Sequence, residues 1–363
     1  MKNKLIENIQ DKPKAILVGA SRDGKEEILK SLEELERLAE TANIETLDYF
    51  YQTIKEITKA TYIGSGKVIE LKDFVNEKGA DLIIFDEELS SFQLNNLEDI
   101  CGVKVIDRSM LILDIFASRA KTSEGKLQVK LAQLKYTLPR SLAMNNSYGR
   151  FGGGVGMRGP GESEIELQKR IIKENILDIE AKIKTLKNQR EVLRKKRKDS
   201  KEKLVAIVGY TNAGKSTLLN TMTKADVYAD DKLFATLDTT TRKIFVSYDK
   251  RFLITDTVGF VSKLPHEFIE AFQATLEEAN SADLILNVVD SSDKHYKEHL
   301  KVTNEVLEKI GAGNIPKLVV YNKVDQCQDS EILDDDNKIK ISAKKNQSID
   351  DLKQKIVGML FED

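Results

Sequence analysis

The hydrophobic pattern divides the chain into three regions, and the first is an alternation of strand-like and helix-like stretches. Short apolar runs suited to buried strands occur at 14–20, 81–85 and 103–107. Between them, charged stretches with helical spacing occupy 25–39 and 67–78. Because strands alternate with helices, residues 1–115 are predicted to form a small N-terminal α/β domain with a mostly parallel sheet.

The second region, residues 116–200, has the pattern of long helices. Apolar residues recur every three or four positions from Leu113 to Leu138, and a heptad pattern follows at Ile172, Ile176, Ile179, Ile183, Leu186 and Leu193. Two such helices joined by a loop predict an antiparallel two-helix coiled-coil arm. We expect Pro139 to help close the first helix, and Ser163 with Glu166 to form a capping box on the second.

A glycine-rich loop, residues 139–162, separates the two predicted helices. It holds seven glycines between Gly149 and Gly161. Because it does not connect a strand to a helix, it lacks the context that a nucleotide-phosphate loop requires. A plain connector is one interpretation. A cationic, backbone-rich tip for folded RNA is the interpretation we favour, with Arg140, Arg150 and Arg158 as candidate RNA contacts.

The third region, residues 201–363, begins with a buried-strand run at 204–208 and a phosphate-loop motif. Gly209–Ser216 matches GxxxxGK[ST] between that strand and a helix. Lys215 is expected to reach the β- and γ-phosphates, and the Ser216 hydroxyl to bind Mg²⁺. The predicted phosphate-binding residues are Gly209, Tyr210, Thr211, Asn212, Ala213, Gly214, Lys215, Ser216 and Thr217.

The base is predicted to be guanine. Asn322, Lys323 and Asp325 follow an apolar strand, and Ser342, Ala343 and Lys344 follow another. An aspartate carboxylate accepts two hydrogen bonds, which suits the N1–H and amine of guanine and leaves adenine mismatched. We therefore expect GTP and GDP as ligands, and expect Asp325→Asn to favour xanthosine nucleotides.

Two further motifs lie between the phosphate loop and the base motif. Asp256, Thr257, Val258 and Gly259 follow a strand, with Asp256 a candidate for Mg²⁺ and the Gly259 amide a candidate for the γ-phosphate. Upstream, the segment Phe234, Ala235, Thr236, Leu237 and Asp238 offers Thr236 as a second Mg²⁺ hydroxyl. On the residues alone, Thr239, Thr240 and Thr241 compete for that role. The four motifs together predict a C-terminal P-loop GTPase (G) domain with Lys215, Thr236 and Gly259 as catalytic residues.

Four other residues bear on the chemistry. Phe260 stands where many GTPases place a glutamine that orients the attacking water, so we expect slow intrinsic hydrolysis. Asn212 suggests a K⁺ ligand, as a hypothesis. His295 and His299 fit a zinc-peptidase motif, but with no third ligand nearby we interpret them as incidental residues of a solvent-facing helix.

Composition narrows the class of protein. The chain has 363 residues, 40% hydrophobic and 32% charged, typical of a globular protein. It has no apolar run near the roughly 20 residues of a membrane span. Since no signal peptide is apparent, we expect a cytoplasmic protein. We also expect a monomer. The stretch 181–203 carries eleven Lys or Arg against three acids, which fits either a solvated helix face or phosphate-backbone binding.

These residues resemble the HflX family of ribosome-associated GTPases. The resemblance rests on 149–166, 209–217, 233–238, 256–260 and 322–325. It implies GTP hydrolysis that is slow alone and stimulated by ribosomal particles, and it assigns the second Mg²⁺ hydroxyl to Thr236. It further implies binding to the large ribosomal subunit, and splitting or rescue of stalled or hibernating ribosomes.

The alternatives are a large-subunit assembly or checkpoint GTPase, and a regulatory GTPase with a protein partner. Several family members carry a further C-terminal domain, and we do not expect residues 1–363 to make the ribosome contacts of such a domain.

Overall fold

The structure is a computed structural model that describes residues 12–22, 24–143, 164–199, 202–223, 233–234, 240–247, 250–263, 278–327 and 335–361. The chain divides into two compact units. The first comprises Met1–Ile115 and Thr137–Lys169, and the second comprises Phe116–Tyr136 and Arg170–Asp363. None of the helices within the described ranges is long and apolar enough to cross a membrane.

The first unit contains a parallel four-stranded sheet with helices between its strands. Its elements are β1 Lys14–Ser21, α1 Lys25–Thr41, β2 Glu45–Thr53, α2 Ser65–Lys78, β3 Leu82–Phe85, α3 Ser91–Cys101 and β4 Lys104–Asp107. The strand order is β2-β1-β3-β4, and every pairing is parallel. The three predicted strands and two predicted helices are confirmed. The structure adds β2, an edge strand that is half-exposed and hence not a continuous apolar run, and α3, which begins with a capping box between Ser90 and Gln93.

Three helices follow: α4 Arg108–Arg119, α5 Ser123–Ala143 and α6 Glu164–Asp199. The prediction of one continuous helix from Leu113 to Leu138 is wrong, because the chain breaks between α4 and α5. The Thr122 hydroxyl accepts a hydrogen bond from the N–H of Gly125 at 2.9 Å and so caps the start of α5. The prediction that Pro139 closes the helix is also wrong, since α5 continues to Ala143 with Pro139 in its last turns.

Within the second unit, α5 and α6 run antiparallel. Lys135 of α5 pairs with Glu180 of α6 at 2.9 Å, and Glu124 of α5 pairs with Arg190 of α6. A lower-numbered residue of α5 thus meets a higher-numbered residue of α6. The predicted heptad positions of α6 that the structure describes are buried or half-buried. Residues 144–163, which include Arg150, Arg158 and Ser163, lie outside the described residues.

Arg140, a predicted RNA contact, belongs to the first unit. Its guanidinium donates to the Asp107 carboxylate at 3.2 Å, to the Leu89 carbonyl at 3.0 Å and to Glu88 at 3.1 Å. Asp107 is fully buried and also accepts from the backbone N–H of Leu89. Arg140 therefore ties α5 to the loops after β3 and β4.

The second unit contains a six-stranded sheet. Its elements are β5 Leu204–Gly209, α7 Lys215–Thr223, β6 Thr240–Phe245, β7 Arg251–Asp256, β8 Leu284–Asp290, α8 Tyr296–Lys309, β9 Lys317–Asn322, β10 Lys338–Lys340 and α9 Ile349–Phe361. The strand order is β10-β9-β8-β5-β7-β6, and β6 is antiparallel to β7 while the other pairings are parallel.

Helices cover both faces of this sheet. Along β5, Val205 and Ile207 join an apolar cluster with residues of α7 and α9, while Ala206 and Val208 join a cluster with residues of α8. A central strand buried on both faces explains the continuous apolar run at 204–208. The loops that leave the carboxyl ends of β5, β7 and β9 are those that carry the predicted nucleotide motifs, in agreement with the position of ligand sites in open α/β sheets.

Candidate functional site

The phosphate loop joins β5 to α7, and two of its positions require glycine. Gly209 has φ +150°, and a Cβ there would lie 2.2 Å from the Val288 carbonyl oxygen. Gly214 has φ +88°, and its Cβ would lie 2.2 Å from the Asn322 Nδ2. Asn212 lies between them with φ +59°, a region that asparagine tolerates better than most residues. The loop thus packs tightly against β8 and the base motif.

Lys215 begins α7 and curls over the phosphate loop. Its Nζ donates to the carbonyls of Gly209 at 3.1 Å and Tyr210 at 2.8 Å. Burial lowers the pKa of Lys215 to about 8, and the nearby Asp256 carboxylate opposes this shift. An ammonium held in the loop with its charge poorly compensated is suited to bind a polyphosphate.

The lowered pKa predicts proton uptake when nucleotide binds. Phosphate oxygens favour the charged ammonium and return the pKa towards its usual 10.5, so Lys215 takes up a proton between these two values. At pH 8 we expect GDP binding to take up about half a proton, and at about pH 7 only about one tenth.

Calorimetric titration in buffers of different ionisation enthalpy measures this uptake. A group that titrates below pH 7 would give the opposite trend. Uptake that is absent at pH 8, or that falls from pH 7 to pH 8, contradicts the assignment to Lys215.

Ser216 and Asp256 bring two oxygen ligands together. The Ser216 hydroxyl donates to Asp256 Oδ2 at 2.8 Å. Asp256 ends β7 next to β5, and both it and the following Thr257 are buried. The Thr257 hydroxyl donates to the Ile207 carbonyl at 2.7 Å, which fixes the start of the loop. A hydroxyl and a carboxylate are ligands that suit Mg²⁺, so the pair fits the metal that nucleotide brings to a GTPase domain.

Gly259 and Phe260 follow on the same loop. A Cβ on Gly259 would lie 2.8 Å from Lys215 Nζ, so this backbone passes directly beside the phosphate loop. The Phe260 N–H donates to the Gly209 carbonyl at 3.1 Å, and the Phe260 carbonyl accepts from Thr211 N–H at 2.7 Å. The Phe260 ring is buried in the apolar cluster with Val208. It has no group that could orient a water molecule, so slow intrinsic hydrolysis stays a prediction.

Tyr210 links the phosphate loop to α8. Its ring stacks on His299 with centroids 3.9 Å apart and planes 9° apart. Its hydroxyl accepts from the Ser262 N–H at 2.7 Å and lies 2.5 Å from the Ser262 Oγ. The prediction of a solvent-facing His299 is therefore wrong, because the ring is half-buried against Tyr210. Among the described residues, no group of three or more His, Cys, Asp or Glu side chains could hold a metal ion.

The predicted base-binding residues come together after β9 and β10. Asn322 Nδ2 donates to the Ala213 carbonyl at 2.9 Å, and Asn322 Oδ1 accepts from the Ala343 N–H at 2.9 Å. One side chain thereby connects the phosphate loop to both base motifs. Asp325 is mostly buried and its pKa is lowered, first by a hydrogen bond with Ser342 and further by Lys345.

Lys345 is a residue of the base site that sequence reasoning missed. Its Nζ lies 3.4 Å from Asp325 Oδ2. The available signal was its position next to the predicted Ser342, Ala343 and Lys344. Both Lys344 and Lys345 are exposed.

The segment around Thr236 is described only in part. Leu233 and Phe234 are buried, and the Phe234 ring packs edge-on against the ring of Phe116 in α4, with the ring centroids 4.6 Å apart. Residues 235–239, which include Ala235, Thr236, Leu237 and Asp238, lie outside the described residues. Of the competing threonines, Thr240 and Thr241 lie in β6, and the Thr241 hydroxyl donates to Thr255 at 3.2 Å.

A predominantly parallel sheet with these loops at its carboxyl edge places the second unit among the P-loop GTPases. A curated relative, GTPase HflX of Caldanaerobacter subterraneus subsp. tengcongensis, is 48% identical over 98% of this chain and 82% of the relative. GTPase HflX of Escherichia coli is 42% identical over 92% of this chain and 79% of the relative. The chain belongs to the GTPase HflX family and is a GTP hydrolase.

Family models and solved structures agree with this assignment. Models described as GTP-binding GTPase N-terminal, GTP-binding GTPase Middle Region and 50S ribosome-binding GTPase match residues 29–117, 119–197 and 204–323. The solved structure of SsGBP with GDP has a TM-score of 0.53 at 25% identity, over 94% of this chain and 97% of that chain. A Sulfolobus solfataricus GTP-binding protein in complex with GDP has a TM-score of 0.50 at 24% identity, over 96% and 98%. Both neighbours share the fold of this chain.

Proposed function

We propose that this GTPase binds the large ribosomal subunit and, under the control of GTP, splits or rescues stalled or hibernating ribosomes. The observation that carries the proposal is the family model that covers the G domain, whose description is that of a 50S ribosome-binding GTPase. The family relatives cover most of the chain, so the region before the G domain is shared with them.

The ribosome-binding element of the proposal is the segment between α5 and α6. The ion pairs Lys135–Glu180 and Glu124–Arg190 support a pair of antiparallel helices, which would present the connecting residues 144–163 as the tip of a coiled-coil arm. Arg140 is engaged by carboxylates of the first unit. The proposed RNA contacts of the tip therefore fall on Arg150 and Arg158.

The bound nucleotide would control ribosome binding and splitting through the residues that contact the γ-phosphate. Lys215 and the Gly259 amide would bind it, and Ser216, Thr236 and Asp256 would hold Mg²⁺, which neutralises charge on the phosphates when bound. GTP would order the segments around Thr236 and Gly259, and hydrolysis would release them. Asn212 of the phosphate loop would serve as the K⁺ ligand. Because Phe260 lacks a hydrogen-bonding group, the ribosome would supply the group that accelerates hydrolysis.

Sedimentation of intact ribosomes through a sucrose gradient tests the splitting activity. With the full chain and a non-hydrolysable GTP analogue, ribosomes are expected to convert to subunits, since binding energy alone would drive the separation. Binding to large subunits without loss of intact ribosomes contradicts splitting. Binding restricted to precursor particles points instead to an assembly or checkpoint GTPase.

The double variant Arg150→Ala with Arg158→Ala is expected to lose ribosome binding and keep GTP binding. Each lost phosphate contact removes about one unit from the slope of log affinity against log salt concentration. Co-sedimentation at several salt concentrations measures this slope.

The matched control removes two exposed lysines of α8, Lys297 and Lys301. We expect this control to bind ribosomes as the unchanged protein does. Full binding by the arginine variant would contradict the proposed role of the tip.

A further inference from the structure

Asp290, the last residue of β8, lies beside the residues that recognise the base. β8 pairs with β9 so that Asp290 stands opposite Asn322. Asp290 Oδ2 accepts a hydrogen bond from Lys323 Nζ at 2.6 Å. Asp290 Oδ1 accepts from both the N–H and the hydroxyl of Ser292, at 3.0 and 2.6 Å. Both oxygens of the carboxylate are engaged, so the side chain is held in one orientation.

Ser291 holds the backbone of the same turn. Its N–H and its hydroxyl both donate to the Asn322 carbonyl, at 3.0 and 2.6 Å. Lys323, which follows Asn322, has φ +62°. This left-handed conformation is unfavourable for a residue with a long side chain. The hydrogen bonds on the preceding carbonyl and the ion pair on the Lys323 ammonium hold the chain in this turn.

The turn at Lys323 decides where Asp325 lies. Asn322 is fixed by the phosphate loop and Ala343, as described above. Beyond the turn, the Val324 N–H donates to the Ile341 carbonyl at 3.2 Å. Between these two anchored residues, the conformation of Lys323 sets the direction in which the chain reaches Asp325.

We propose that Asp290 and Ser291 are positioning residues for guanine recognition, acting through Lys323 and the Asn322 carbonyl. They form a third segment of the base site, in addition to the 322–325 and 342–345 segments. In the sequence, Asp290 and Ser291 lie some 30 residues before that motif and match no nucleotide signature.

The expected loss of GDP affinity depends on how exposed the Asp290–Lys323 ion pair is. Side-chain exposure is 25% for Lys323 and 17% for Asp290, so their ion pair is stronger than a surface pair and weaker than a fully buried one. Asp290→Asn keeps the shape and removes the charge. We expect it to lower GDP affinity by about fivefold to tenfold.

Nucleotide titration and steady-state kinetics of the full chain test the proposal. Asp290→Asn should raise the KM for GTP by the same factor as it weakens GDP binding, with kcat unchanged, because only nucleotide binding is affected. In a Lys323→Ala background, Asp290→Asn should have little further effect, because the residue through which it acts is gone.

The matched control is Asp293→Asn, in the same loop. Asp293 accepts a hydrogen bond from the His295 N–H at 2.8 Å, so the control removes a negative charge from the same turn and leaves the Asp290–Lys323 ion pair in place. We expect its GDP affinity to stay within about twofold of the unchanged protein.

A second variant, Ser291→Ala, keeps the charge of Asp290 and removes one of the two hydrogen bonds on the Asn322 carbonyl. It should also weaken GDP binding with kcat unchanged, and it covers the case in which Asp290→Asn fails to fold. Unchanged GDP affinity in either folded variant overturns the proposal. So does a fall in kcat at constant KM, or an effect of Asp290→Asn that is as large without Lys323 as with it.

Discussion

Replacement of Asp325 by asparagine is expected to lower the affinity for GTP and GDP by about 100-fold, and to create affinity for xanthosine nucleotides. Loss of a charged acceptor paired with two donors of the base costs about 3 kcal/mol, which corresponds to a factor of this size. The effect falls on binding, because Asp325 belongs to the proposed base site and not to the phosphate loop.

The direction of the change follows from the ionisation of Asp325. Hydrogen bonding from Ser342, with a further contribution from Lys345, lowers the pKa of the carboxyl, so at neutral pH it only accepts hydrogen bonds. Guanine offers two donors to such a group. Asparagine offers one acceptor and one donor, which leaves the guanine amine without an acceptor and matches the 2-oxo group of xanthine.

Titration with fluorescent GDP and XDP measures the exchange of specificity. Asp335→Asn is the matched control, since Asp335 lies before β10 and pairs with the exposed Lys338. We expect it to leave both affinities within about twofold of their original values. If Asp325→Asn binds GDP as tightly as the unchanged protein, the assignment of the base site is wrong.

The sequence predicts the second unit well because its motifs are local. A phosphate loop needs only a strand, a run of fixed spacing and a helix, and all three lie within the segment 204–223. The same holds for Asp256 to Gly259 and for Asn322 to Asp325, each of which directly follows a buried strand. The order of these strands then brings the motifs together at one edge of the sheet without further specification.

Contacts between distant segments could not be read from the sequence. The stacking of His299 on Tyr210 and the ion pair of Asp290 with Lys323 join residues that belong to different elements of the fold. Neither pair has a characteristic spacing, and a histidine on an amphipathic helix is more often at the surface. Only the packing of α8 and β8 beside the phosphate loop gives these residues a role.

The prediction of helix boundaries between Leu113 and Ala143 failed for a different reason. Apolar periodicity continues across the break between α4 and α5, so the period alone does not report it. The signal was the threonine at position 122, whose hydroxyl caps α5. At Pro139 a helix end was predicted where the helix in fact continues. A proline in the last turns of a helix removes a hydrogen bond, but the chain can remain helical.

Replacement of Gly259 by alanine is expected to lower the rate of GTP hydrolysis by about 100-fold, while GDP affinity changes by less than about threefold. A Cβ at this position would lie 2.8 Å from Lys215 Nζ, 2.9 Å from Thr211 Cγ2 and 3.0 Å from Thr211 Cα. The ammonium could move aside, but the backbone of the phosphate loop could not. The added methyl group therefore pushes the Gly259 amide away from its expected position at the γ-phosphate, a loss that acts on GTP and its transition state and not on GDP.

Single-turnover hydrolysis and GDP titration separate these effects. Gly66→Ala is the matched control, because a Cβ there meets no atom within 4 Å and Gly66 lies in α2 of the first unit. It should leave hydrolysis and binding unchanged.

If Gly259→Ala hydrolyses GTP at the original rate, the amide does not contact the γ-phosphate in the reacting state. If it loses GDP affinity in proportion to the rate, the added methyl group has disrupted the phosphate loop itself. The expected separation of the two measurements arises because the loop that carries Gly259 is anchored on either side, by Thr257 to β5 and by Phe260 to Gly209.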